Sequence, residues 1–225
     1  MKRLYLFALL AVSLAAASCS NVYQASSPLK EPVDDIVLLE PVSVIRFLTD
    51  EEMTVIDDDM SRESSEIISG AILSQPGFYH VTDDAILMGD ATVDLVDFYN
   101  VIRPMRKKWV PNLTVPQSLL EVIQASGHRY GMAVVAGGFT RSRKNYTREV
   151  VRDVAFAILT TILSPVSTVP VTYRNMFDAA VIIFDSKTNS VVYFRQLDPI
   201  SIDPLDRTRV PNYLPRLVRN YKWVN

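Results

Sequence analysis

The sequence predicts an α+β fold, a mixed α/β layer sandwich with a central sheet of about five strands and helices packed against it. Three observations lead there. Short β-branched apolar runs alternate with segments whose apolar residues recur at helical spacing. Two late apolar runs are separated by five polar residues, the mark of a hairpin. The chain has 225 residues, 48% of them hydrophobic, enough for the core of one domain.

The elements follow in order. Asp35 to Val44 (DIVLLEPVSV) reads as one buried strand. Within Asp59 to Gln75, Ile67, Ile68, Ala71 and Ile72 make a helical stripe, stopped by Pro76 and Gly77. Phe78 to Thr82 (FYHVT) reads as a short strand. Ala91, Leu95, Phe98 and Ile102 define a second helix that ends before Pro104. Thr114 and Gln117 have the spacing of a capping box for a third helix, with Leu119, Leu120 and Ile123 inward and Gly127 as its stop. Met132 to Thr140 predicts a central strand. Val154 to Tyr173 carries no charge, and Val150, Val154, Ile158 and Ile162 lie four apart, predicting an amphipathic core helix that ends at Pro165. Ala179 to Phe184 and Ser190 to Phe194 form the hairpin. The tail closes with Tyr213, Leu214, Leu217, Val218 and Tyr221 on a short helix.

The amino terminus is an address. Lys2 and Arg3 precede an uncharged apolar stretch, Leu4 to Ala17, which is too short for a permanent membrane span of roughly 20 residues. Small residues then lead to Cys19, the only cysteine. Ala16-Ala17-Ser18-Cys19 resembles the lipobox of bacterial lipoproteins, with Ala16 where Leu is commonest. That resemblance implies cleavage before Cys19 and acylation of it, a membrane anchor strong enough to persist. Residues 1–18 are then a signal peptide, 19–34 a flexible tether, and 35–225 one domain with an apolar insertion at about 141–173. Ser20 follows the cysteine in place of the Asp that would resemble the inner-membrane retention signal of enteric bacteria, so the expected site is the outer membrane, facing the periplasm.

The strand YGMAVVAGGFT followed by AAVIIFDSKTNSVVYFRQ resembles a pattern shared by the curli secretion-channel lipoprotein, the lipoprotein activators of penicillin-binding proteins and the amino-terminal domain of TolB. The pattern spans most of 35–197. Asn189 departs from it where Gly usually closes the turn, as does the approach His128-Arg129-Tyr130. The resemblance implies kinship of fold with these envelope proteins.

The chemistry-bearing motifs are sparse. The sequence has no GxSxG, GxxxxGK[ST], HExxH or GxGxxG, and no catalytic residue, metal site or cofactor is expected. His80 and His128 read as packed or capping residues. Asp57-Asp58-Asp59 fails as a calcium loop, because Arg62 falls where Gly belongs and Ile68 where the bidentate Glu belongs; a helix cap fits better. Charge is uneven. Cys19 to Asn100 holds 3 Lys/Arg against 17 Asp/Glu, a net of −14, while Val101 to Asn225 holds 18 against 8, a net of +10. Two basic clusters stand out as contacts for a partner or for lipid headgroups: Arg103, Arg106, Lys107, Lys108 and Trp109, then Arg141, Arg143 and Lys144. An exported protein has no nucleic acid to meet, so the expected partners are the membrane, through the lipid anchor, and an envelope protein or a second copy of the chain. The expected function is adaptor or activator; the alternative is an oligomeric secretion or channel component that meets the membrane through 141–173.

Overall fold

The computed structural model describes residues 23–26, 33–51, 53–105, 113–152 and 172–219. Its strands are β1 (Tyr23–Ser26), β2 (Ile36–Leu39), β3 (Val42–Leu48), β4 (Thr54–Ile56), β5 (Val81–Ala85), β6 (Tyr130–Arg141), β7 (Asn175–Asp185) and β8 (Ser190–Gln196). The helices are α1 (Asp58–Leu73), the single turn α2 (Pro76–Tyr79), α3 (Asp90–Ile102), α4 (Gln117–Ala125), α5 (described over 143–152), α6 (Arg209–Tyr213) and α7 (Pro215–Val218). The class is the mixed α/β sandwich read from the sequence, but the sheet is wider than about five strands. All eight described strands join one sheet in the order β1-β8-β7-β6-β2-β5, with β3 also on β6 and β4 on β3.

The long strand β6 organises the sheet. It pairs antiparallel with β7 along eleven residues, from Tyr130 opposite Asp185 to Thr140 opposite Asn175. Its other side takes β2 and then β3, both parallel. The apolar run 35–44, expected as one strand, is therefore two. Leu38 lies opposite Met132 and Val42 opposite Val135, so four steps on one side match three on the other and the chain bulges at Glu40-Pro41. Pro41 has no N–H to give the ladder, which is why the break falls there.

Both faces of the sheet are covered, so its central strands read as continuous apolar runs. On one face Met132, Val134, Val181 and Ile183 pack with Ile67, Ile68 and Ile72 of α1 and with Leu214, Leu217 and Val218 near the carboxyl terminus. On the other, Ala133, Val135, Ile182 and Phe184 pack with Leu95, Phe98 and Ile102 of α3 and with Leu119, Leu120 and Ile123 of α4. The stripes predicted for these three helices are the buried ones. Asp57 caps α1, its Oδ1 accepting from Met60 N–H at 2.9 Å.

Several boundaries differ from the sequence reading. Pro76 does not merely stop α1; its fixed φ opens the turn α2, which takes up Phe78 and Tyr79. His80 then sits at φ 55 in the left-handed region, and β5 starts only at Val81. The capping box at Thr114 is not formed: α4 begins after Pro116 with no side-chain cap, while Gly127 at φ 80 ends it as expected. The tether expected over 19–34 is interrupted, because residues 23–26 form β1 on the edge of β8. The terminal helix is two short pieces, α6 and α7, and Tyr221 lies outside the described residues. The amphipathic helix predicted through Pro165 is described only to residue 152; there Val151, expected on its buried face, is 62% exposed and Glu149 is turned inward, while the rest of its apolar rows lies outside the described residues.

Candidate functional site

Each end of β6 gathers polar side chains. At its start, Asp35, at φ 54, accepts from Thr82 Oγ1 at 2.7 Å and lies 3.3 Å from His128 Nε2. The other ring nitrogen of His128 meets Ser126 O at 2.9 Å. His128 thus joins the loop after α4 to the starts of β2 and β5. Beside it, Arg129 donates from Nε and Nη2 to the two oxygens of Asp185 at 3.1 and 2.8 Å. Asp185 is 1% exposed and also accepts from Lys187 N–H at 2.9 Å. Burial alone would raise this carboxyl, but the Arg129 and Lys187 donors and the guanidinium charge hold it below its ordinary value. These contacts close the β7–β8 turn, where Asn189 at φ 49 takes the left-handed conformation that Gly adopts most readily.

The far end of β6 is different in character. Asp178 lies opposite Gly137, and a Cβ on Gly137 would come within 3.0 Å of the Asp178 Oδ1. Burial pushes the Asp178 carboxyl up, and the charges of Arg103 and Arg46 partly offset this. Arg46 itself lies opposite Phe139 on the neighbouring strand. The guanidinium of Arg141 stacks 5.3 Å over the Phe139 ring and donates to Asn145 Oδ1 at 2.9 Å and Tyr173 O at 3.1 Å. Next comes α5, whose exposed positions are Arg143, Lys144, Thr147, Arg148, Val151 and Arg152. An open groove of about 600 Å³ runs along the first five of these.

Of the two predicted basic clusters, Arg103 follows the last residue of α3 and its charge reaches Asp178, while Arg141 ends β6 and Arg143 and Lys144 open α5. Arg106, Lys107, Lys108 and Trp109 lie outside the described residues, as does Cys19. Arg46 and Asp178 were missed in the sequence. The available signal was the pair Gly137-Gly138 inside a strand pattern, which marks a close approach of neighbouring atoms.

A second concavity of about 400 Å³ opens at the carboxyl ends of β2 and β5 against α1, lined in part by Glu40, Arg62, Ser65, Glu66, Asp84 and Ile86. Glu40 Oε2 there accepts from Leu87 N–H at 3.2 Å. Among the described residues no three His, Cys, Asp or Glu side chains converge as a metal site, and no helix is long and apolar enough to cross a membrane.

No family model matches the chain, and no curated protein matches it. Its solved structural neighbours are distant. The PelC dodecamer from Paraburkholderia phytofirmans in space group P6 aligns at TM-score 0.40 and 10% identity, over 89% of this chain and 95% of that one. A variant of the same dodecamer in space group C2 gives 0.41 and 9%, over 89% and 96%. The LpoB C-terminal domain from Salmonella enterica gives 0.31 and 6%, over 77% and 87%. At TM-scores below 0.5 these carry no argument about this chain.

What the site residues can do follows from their contacts. His128, Asp35, Arg129 and Asp185 are committed to tying loops to strands. Two exposed surfaces stand apart from these contacts: a row of cations on α5, and apolar side chains after β5. There Ile86, Met88 and Val93 are 70%, 78% and 60% exposed, within the loop after β5 and the first turn of α3. Asp83, Asp84 and Asp90 rim them.

Proposed function

We propose that this chain is a lipid-anchored cell-envelope protein that acts without catalysis, as an adaptor or activator that binds an envelope protein partner. The anchor is Cys19, on the outer membrane and facing the periplasm. The observation that carries partner binding is the patch of Ile86, Met88 and Val93. Large apolar side chains this exposed, with carboxylates around them, mark a contact surface more than a solvated loop. The open edge of β5 lies alongside, and Asp83 and Asp84 on it disfavour indiscriminate strand pairing.

A second reading is an oligomeric secretion or channel component. The opposed charge of the acidic β5 flank and the cationic α5 favours it, since unlike surfaces on one chain suit head-to-tail assembly. Light scattering on the purified Cys19→Ala chain separates the two: a monomer supports the adaptor, a closed ring the channel component. The non-enzymatic reading is tested on the same material. We expect no turnover of ester, peptide or glycan substrates; turnover abolished by His128→Ala or another single polar change contradicts it.

A further inference from the structure

We infer that the outward face of α5 rests on anionic phospholipid headgroups, next to the point where the acyl chains of Cys19 enter the bilayer. This rests on the proposed anchor for its orientation and on strand register for its geometry.

Tyr23 of β1 pairs with Gln196, Gln196 with Ala180, and Ala180 with Val135. Ser26 pairs with Tyr193, Tyr193 with Ile183, and Ile183 with Met132. β1 therefore runs from the level of Val135 toward the start of β6, and its incoming end points at the carboxyl end of β6. Cys19 precedes Tyr23 by four residues, a reach of at most about 14 Å. The same count takes β7 from Ala180 back to Met176, which lies opposite Phe139. A reach of that length from Tyr23 thus includes the level of the sheet end where Arg141 leads into α5.

A domain held on so short a leash presents that end to the membrane, and its surface there is suited to anionic headgroups. Arg143, Lys144, Arg148 and Arg152 all lie on the exposed face of α5, with Val151 between them at 62% exposure; Tyr173, whose carbonyl accepts from Arg141, is 40% exposed. Among the described residues of α5 no carboxylate is exposed on that face. Glu149 is turned inward and paired with Arg152; the adjacent turn exposes two acids, Asp50 and Glu51, of which Asp50 accepts from Ser142 through its carboxylate and from Arg148 Nη1 through its carbonyl at 2.9 Å. Cations on a helix with an apolar residue among them are what an interfacial helix needs, and each contributes about fivefold to binding near an anionic surface.

The test uses the Cys19→Ala chain, so that acyl chains play no part, and vesicles of phosphatidylcholine alone or mixed 3:2 with phosphatidylglycerol. The chain should sediment with the mixed vesicles at low salt, and not with phosphatidylcholine. Arg143→Glu with Lys144→Glu should weaken binding on the order of a hundredfold or more, at an unchanged melting temperature, because neither side chain is buried. Equal binding to both vesicles, or binding indifferent to the double reversal, overturns the inference. Orientation is read separately on the acylated protein, where a Lys144→Cys label should be quenched by headgroup-quencher lipid and an Asp84→Cys label should not; the reverse pattern overturns it. If the wild-type chain takes up no fatty acid while the vesicle result stands, the anchor fails and the helix contact survives.

Discussion

Asp185→Ala should cost about 3 kcal/mol of stability, roughly 6–12 °C in Tm for a domain of this size. The change strips Arg129 of both its carboxylate bonds and leaves the N–H groups of Lys187 and Thr188 without their acceptor. It also opens the turn between the two strands that carry one side of the sheet. The loss should depend on pH in a defined direction. The folded carboxyl titrates below its ordinary value. In the interval between the folded and unfolded values the unfolded chain binds more protons, so stability falls as pH falls. The contribution is complete above the unfolded value of about 4 and disappears as pH drops through the folded one. Thermal melts of both proteins should therefore differ by a constant amount from neutral pH to about 5 and converge below that. A gap that persists undiminished at the acid end contradicts the pairing.

Gly138→Ala should be comparably damaging for a steric reason. A Cβ built there meets the Met176 carbonyl oxygen at 2.3 Å and Pro204 Cγ at 3.3 Å. The first of these is backbone, in the strand hydrogen-bonded to β6, so relief requires the two central strands to move apart. We expect a cost of about 2–3 kcal/mol, read as a lower urea midpoint at an unchanged slope. Gly70→Ala is the control. It lies inside α1 with nothing within 4 Å of the new Cβ, and should gain about 0.5–1 kcal/mol. One chemical change, opposite signs: if both variants lose stability alike, the close approach at Gly138 is not the cause.

What was legible in the sequence follows from how locally each feature is determined. The stripes of α1, α3 and α4 were legible because an apolar face recurring at 3.6 residues has one way to be buried. The β7–β8 hairpin was legible because its turn is short and polar. The break of the first strand was not, because the bulge at Glu40-Pro41 is a property of its pairing with β6, although Pro41 could have suggested it. His80 was misplaced for a related reason. FYHVT has strand composition, but Pro76 preorganises a helical turn that consumes its first two residues. β1 escaped notice because four polar and small residues gain their order from the edge of β8 rather than from any pattern of their own. The site behaved similarly. The basic clusters were visible as composition, whereas the convergence of Arg103 on Asp178 and the nearness of Arg46 depend on which strands are neighbours.

The central claim is that Cys19 tethers this domain to the membrane, and metabolic labelling with an alkyne fatty acid tests it most directly. The wild-type chain should carry label and fractionate with the outer membrane, while Cys19→Ala should carry none and appear in the soluble periplasm. Label retained by Cys19→Ala, or an unlabelled wild-type chain, would contradict the account.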